Sequence, residues 1–310
     1  MDRISTQSAY GSVLSNLMSA EIRQSAAGNQ LSSQKIATDL KGYAANAETL
    51  SALQATNTRV GSYLDQTQVI AAKLSTQDSA LNQVADATSG ARQAIAGAVA
   101  SGSGDSLMQS LQNYFSNAIQ GLNTTYNGEY IFSGGQVSTK ATTAATLSDL
   151  TTAPSVASLF HNDQLTTSNQ LDDATSIKSG FLADQLGTPL FNALQAIQAY
   201  SQGPGGPFTS QLNDTQKAFL TSTLAGLDTV HSDLINVAGQ NGLMQSQVSN
   251  SQTDLTQRQT MLSGLISNLT AADVAKATTD LQQAQLAVQA AGQVYLTLKN
   301  SSLINILPPG

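Results

Sequence analysis

The chain has 310 residues, of which 40% are hydrophobic and only 11% charged, with 13 basic against 20 acidic residues and a net charge of −7. An average soluble protein carries roughly 25% charged residues; here Ala, Ser, Thr, Gln and Asn fill the difference. The acidic balance without a basic cluster argues against a nucleic-acid surface, the lack of any run of about 18 apolar residues argues against a membrane span, and the absence of Cys removes disulfides, thiol nucleophiles and thiolate metal sites.

Taken in chain order, residues 10–34 carry a weak helical stripe of Val13, Leu17, Ala20, Ala27 and Leu31. Thr38 to Gly42 interrupts it with a turn. A heptad seam then runs Leu50, Leu53, Asn57, Val60, Leu64, Thr67, Ala71, Leu74, Asp78, Leu81, Ala85 and Thr88, the steps alternating three and four. Residues 1–153 contain no proline, which permits a helix of this length because an interior proline costs about 3 kcal/mol. Gly102 to Asp105 reads as a turn between helices, since no Gly-Lys-Ser/Thr follows to make a phosphate cradle.

The period is lost in residues 133–186. Just before them, Tyr130, Ile131 and Phe132 are strand formers flanked by Asn127-Gly128 and Gly134-Gly135 turn signals. The segment reads as a small β-rich insert with helices before and after it. A short helix, Pro189 to Tyr200, follows with Leu190, Leu194 and Ile197 on one face, and then a loop from Gly203 to Pro207. A second seam runs Leu227, Val230, Leu234, Val237, Asn241, Met244, Val248, Ser251, Leu255, Arg258, Leu262, Leu265 and Leu269. It slips near 268–272, where Thr270 to Asp273 has the form of a capping box, and a new register takes Val274, Ala277, Leu281, Ala284, Val288, Ala291, Tyr295 and Leu298.

Both ends therefore show a terminal helix, a break and a longer seam, in mirrored order. The fold class expected is mainly α: long antiparallel coiled-coil helices from both chain ends forming a rod, with a small β-rich inserted outer domain. The expected division is 1–40 with 270–310 as terminal helices, 41–132 with 187–269 as helical rod, and 133–186 as outer insert. Polar seam members such as Asn57 and Asn241 weaken a coiled coil but can fix its register.

No constellation points to catalysis, a cofactor or a metal, so the chain is not expected to be an enzyme. Ser32 and Lys35 fit a Ser-x-x-Lys pattern without its partner motifs. Asp172-Asp173 reads as a solvated turn. His161 and His231 have no ligand at metal spacing.

Particular segments resemble the flagellin superfamily, in its hook-associated branch. The opening Met1-Asp2-Arg3-Ile4-Ser5-Thr6, the Leu31-Ser32-Ser33-Gln34-Lys35-Ile36 segment, and Asn127-Gly128-Glu129-Tyr130-Ile131-Phe132-Ser133-Gly134 resemble that branch. So do Thr270 to Ala277, Leu281 to Leu286 and Ser301-Ser302-Leu303-Ile304-Asn305-Ile306-Leu307. The family commonly has Gly where Gln34 stands, and a proline-containing loop where Thr38 to Tyr43 stands. The resemblance implies a structural subunit joining hook to filament, located outside the cell and exported by the flagellar type III pathway; residues 1–20 lack the apolar core of a cleavable signal peptide. Its implied partners are copies of itself, a neighbouring hook-associated protein, flagellin and an export chaperone, with no nucleic acid and no membrane insertion. A filament subunit is the alternative within the family. A carbohydrate-binding surface module is another, but it needs clustered aromatics, and Phe160 and Phe181 alone are thin support. The terminal helices are expected to order on assembly, because isolated helices with small apolar faces are marginal in water. The assembly residues expected are Ile4, Leu14, Leu17, Val288, Tyr295, Leu298, Leu303 and Ile306.

Overall fold

The computed structural model describes residues 2–304, with side chains described for residues 8–300. The long helices are α1 (Asp2–Ser33), α2 (Ala47–Ser101), α6 (Asp214–Thr270) and α7 (Val274–Ile304). Between α2 and α6 lie α3 (Leu107–Leu122), the hairpin β1 (Thr125–Tyr126) and β2 (Glu129–Tyr130), α4 (Leu147–Thr152), the hairpin β3 (Ser168–Gln170) and β4 (Ser176–Lys178), and α5 (Ala183–Gln202). The mainly α expectation holds, with two small two-stranded sheets beside the helices among the described residues. The chain forms two compact units, Met1–Arg59 with Gln257–Gly310, and Val60–Thr256.

In the first unit α1 lies antiparallel along α7. The contact is built on small side chains: Ala20, Ala27, Ala277 and Ala284 are buried, which lets the helix backbones approach closely. Tyr10 meets Tyr295 edge-on at 6.0 Å, the geometry favoured by the ring quadrupole. The two chain breaks face each other. Ile36 N–H donates to the Thr270 carbonyl at 2.8 Å and Ala272 N–H to the Gln34 carbonyl at 3.0 Å, forming an antiparallel bridge of Lys35 with Ala271. Gln34 takes a positive φ of 55° to make this turn. The first break continues into a 3₁₀ segment, Leu40–Asn46, capped by Asp39 accepting the Gly42 N–H. The second break falls where the seam slips, but its cap is Asp273, whose Oδ1 accepts the Lys276 N–H at 2.9 Å. Thr270 instead bonds back to the Ile266 carbonyl.

In the second unit the two seams pack on each other antiparallel. Asn241 Nδ2 reaches the Leu74 carbonyl, His231 Nδ1 donates to the Ala85 carbonyl, and Arg92 pairs with Asp228. Partners thus rise along α2 as they fall along α6. The amphipathic faces of α3 (Leu107, Leu111, Phe115, Ala118, Leu122) and α5 (Leu186, Leu190, Leu194, Ile197) close over the upper half of the seam. Phe191 stands between Phe115 and Phe160, with both centroids 4.9 Å away. Gly121 lets α3 lie close against α2, because a Cβ there would press on Val84 and the Ala80 carbonyl.

The 133–186 segment shares this core rather than building its own. Phe132, Leu147, Leu150 and Phe160 are buried with the helices, and Leu171 and Ile177 of the β3–β4 hairpin pack on Ile70, Leu74 and Val248. Gln77 ties the hairpin down through its Nε2 to the Ser179 carbonyl. The segment holds less strand than the sequence suggests. Ile131 and Phe132 leave the β2 ladder to enter the core, and the Phe132 carbonyl takes the Ala183 N–H that opens α5. Helix α4 arises from Thr146 and Asp149, whose carboxylate accepts the N–H groups of Ala145 and Thr146 at 2.8 Å each. The β1–β2 turn matches its sequence signal: Asn127 and Gly128 both have positive φ, 53° and 85°. Helix α5 begins six residues before Pro189. The proline is exposed, and so is Gln185, whose carbonyl loses a helical partner to it but can turn to solvent.

Candidate functional site

The described residues of the first unit expose large apolar side chains on the outer faces of α1 and α7. On α1, Leu14, Met18 and Ile22 are 49%, 55% and 67% exposed. Their spacing of four makes one row along the helix. On α7, Leu286 is 68% and Leu296 57% exposed, with Val294 beside them. The reason is visible in the pattern. The stripe through Val13, Leu17, Ala20 and Ala27 turns toward α7, while the row Leu14–Met18–Ile22 lies one position on and has no cover.

The expected assembly residues divide accordingly. Leu14 and Tyr295 are exposed, Tyr295 being also held by Tyr10. Leu17, Val288 and Leu298 are half-buried. The side chains of Ile4 and Leu303, and all of Ile306, lie outside the described residues. Met18, Ile22, Leu286, Val294 and Leu296 were missed by the stripe, although the i, i+4, i+8 spacing of Leu14, Met18 and Ile22 was there to be read. A gap of about 310 Å³ between α1 and α7, lined by Arg23, Ala27, Gln30, Asp280 and Ala284, leaves the small-residue contact incompletely filled. Near it Lys276 pairs with Asp280, and the hydrogen bond followed by the charge of that carboxylate raises the lysine's pKa.

The polar motifs singled out in the sequence have local duties. Ser32 Oγ donates to the Asn29 carbonyl at 3.1 Å, within the last turn of α1. Asp172 accepts the N–H groups of Ala174 and Thr175 in the β3–β4 turn, and Asp173 accepts the Tyr63 hydroxyl at 2.8 Å. His161 Nε2 lies 3.0 Å from the Thr143 hydroxyl. Among the described residues no three His, Asp or Glu side chains come together as a metal-binding group, and no helix is long and apolar enough to cross a membrane.

Residues 4–137 match the family model for the bacterial flagellin N-terminal helical region. This match takes in α1, α2, α3 and the β1–β2 hairpin, less than half of the chain. Among solved structures, the chain is similar to one described as a flagellar hook-associated protein from Vibrio parahaemolyticus, with a TM-score of 0.61 and 14% identity over 75% of this chain and 99% of that one. It is also similar to FlgL of Bacillus cereus, with a TM-score of 0.53 and 14% identity over 71% of this chain and 99% of the other. At such identity the likeness is one of fold. No curated protein sequence matches.

Proposed function

We propose that the protein is a hook–filament junction subunit, the role held by hook-associated protein 3, assembled through its terminal helices. The observation that carries this reading is the uncovered apolar row Leu14–Met18–Ile22 together with Leu286 and Leu296. Fully burying side chains of this size stabilises by about 1.5–3 kcal/mol each, and exposed contiguous apolar surface marks an interaction face. The occupants are copies of the same chain, with an adjacent hook-associated protein and flagellin at the two ends of the ring. The likeness to FlgL favours the junction over the filament. Export through the flagellar type III pathway with a chaperone, and an extracellular place at the junction, belong to the same proposal. So does a layered arrangement with terminal helices inside and residues 133–186 outside. The low charge of 11% suits it, since helix faces rich in Ser, Thr, Gln and Asn can lie against identical copies without like-charge repulsion.

A deletion strain tests the proposal. Hooks that persist without filaments, with flagellin released into the medium, are the expected result. Loss of filament mass above an intact junction supports the filament-subunit alternative. Unchanged motility refutes both.

A further inference from the structure

The second unit holds a groove of about 300 Å³ between α2 and the two hairpins, a size at the lower end of small-molecule sites, roughly 300–1,000 Å³. The structure separates the two phenylalanines that the sequence offered for ligand binding. Phe160 is buried in the core, 4.9 Å from Phe191, while half-buried Phe181 and Tyr126 pack on the edge of that core and line the groove with Tyr130. Two rings of the β1–β2 hairpin and one from just before α5 thus line one open groove.

The polar groups at this wall differ from the Ser and Thr hydroxyls of the helices. Exposed hydroxyls along the helices bond back to their own backbone, as Thr56 does to Ala52 and Thr76 to Ala72. In the groove, Lys73, Glu129 and the hydroxyls of Tyr126 and Tyr130 have no hydrogen-bond or ion-pair partner among the described residues. Asn169 donates through Nδ2 to Ser179 Oγ at 2.5 Å, which fixes its amide and leaves Oδ1 free to accept. The backbone offers little to an added strand: the N–H groups of Tyr130, Ile131 and Ser179 are already given to Val137, Thr124 and Thr167.

We propose that this groove binds a neutral saccharide of one or two rings. The electron-rich faces of the aromatic rings attract the polarised C–H face of a pyranose. The phenols, ammonium, carboxylate and amide supply donors and acceptors for its hydroxyls. Lys73 and Glu129 carry opposite charges, so neither an acidic nor a cationic ligand is matched by the wall as a whole.

The test is saturation-transfer NMR on the full chain with maltose, cellobiose and diacetylchitobiose, each alone at millimolar concentration. Transfer to the ring protons of at least one disaccharide is expected. It should fall at least fivefold in Tyr130→Ala and at least threefold in Lys73→Met, which keeps most of the side-chain volume should the first variant fold poorly. Leu243→Ser, at an exposed position of α6 away from the groove, should leave it unchanged. No transfer from any of the three sugars, or transfer undiminished in both groove variants, overturns the proposal. So does concentration-dependent broadening of the Tyr130 ring signals without sugar, which would place a second copy there.

Discussion

Asn241 of α6 donates its side-chain amide to the carbonyl of Leu74 on α2 at 2.9 Å, and both residues are fully buried. The bond joins residues 167 apart in sequence and fixes which turn of one helix meets which turn of the other. It is a costly pin, because the Oδ1 of Asn241 is buried without a hydrogen-bond partner. Asn241→Asp should destabilise the protein by about 2–4 kcal/mol, since it buries a carboxylate against a carbonyl and beside Asp78. Asn241→Leu should change stability by about 1 kcal/mol or less, yet loosen the register and admit other oligomers. Urea midpoints and light scattering on both variants check this. An Asp variant as stable as the parent would show that the site is wet rather than sealed.

Gln34 has φ of +55° at the end of α1, a region in which an L side chain costs about 1–2 kcal/mol. Gln34→Gly should relieve that cost, offset in part by the greater freedom of glycine in the unfolded chain. The net gain should be up to about 1 kcal/mol and local. The Ala272 amide, which donates to the Gln34 carbonyl, reports it directly by slower hydrogen exchange. Exchange at Ala272 that stays the same or quickens would mean that the Gln34 side chain contributes more than its backbone strain costs.

Asp163 accepts the N–H groups of Gly135 at 2.7 Å and Leu165 at 2.9 Å. These bonds, Gly135's first, hold its pKa below the ordinary carboxylate value. Asp149 is lowered in the same way by the Ala145 and Thr146 amides. A carboxyl with a depressed folded pKa binds protons more weakly folded than unfolded. Its contribution is therefore complete above the unfolded pKa, about 3.9, and is lost as pH falls through the folded value. Urea midpoints measured from pH 6 downward should fall below pH 4 in the parent and fall less in Asp163→Asn. Parallel curves would remove Asp163 from the account. Gly134 belongs to the same turn: at φ +66°, with the Asp163 carboxylate against its missing Cβ, it should not accept Ala without loss of stability.

The long helices were legible because their cause is local. A 3–4 alternation repeated over a dozen positions has no reading other than a helical seam, and the breaks at 34–46 and 270–273 coincide with the places where it slips. The Asn127-Gly128 turn was legible for the same reason, since both positions need positive φ. The insert was not. Tyr130, Ile131 and Phe132 carry strand propensity, but burial of Phe132 against α5 outweighs it, and propensity is a weak prior against tertiary packing. Helix α4 had its signal in Thr146 and Asp149, a short box in a Thr-rich run that looked like loop. The groove with Tyr126, Tyr130 and Phe181 could not be read at all, because it depends on how distant segments fold back.

On the proposed assembly through the row Leu14–Met18–Ile22, folding and assembly can be separated by measurement. Ile22 is 67% exposed, so Ile22→Ser removes little burial within the subunit and should shift its stability by no more than about 0.5 kcal/mol. If the row is a contact between copies, the same change leaves polar side chains in a dry interface at every repeat of the ring, and the loss is multiplied by the number of contacts. A strain carrying Ile22→Ser with Met18→Ser should then assemble hooks but few attached filaments. Ala20→Leu gives the opposite pattern. Ala20 is buried where α1 packs on α7 and does not line the gap beside Ala27, and a larger side chain there overpacks the contact at a cost of about 1–3 kcal/mol, so stability falls first and attachment fails as a consequence. Circular dichroism melts paired with counts of attached filaments distinguish the two. Full attachment in the double serine variant would remove this face from the interface.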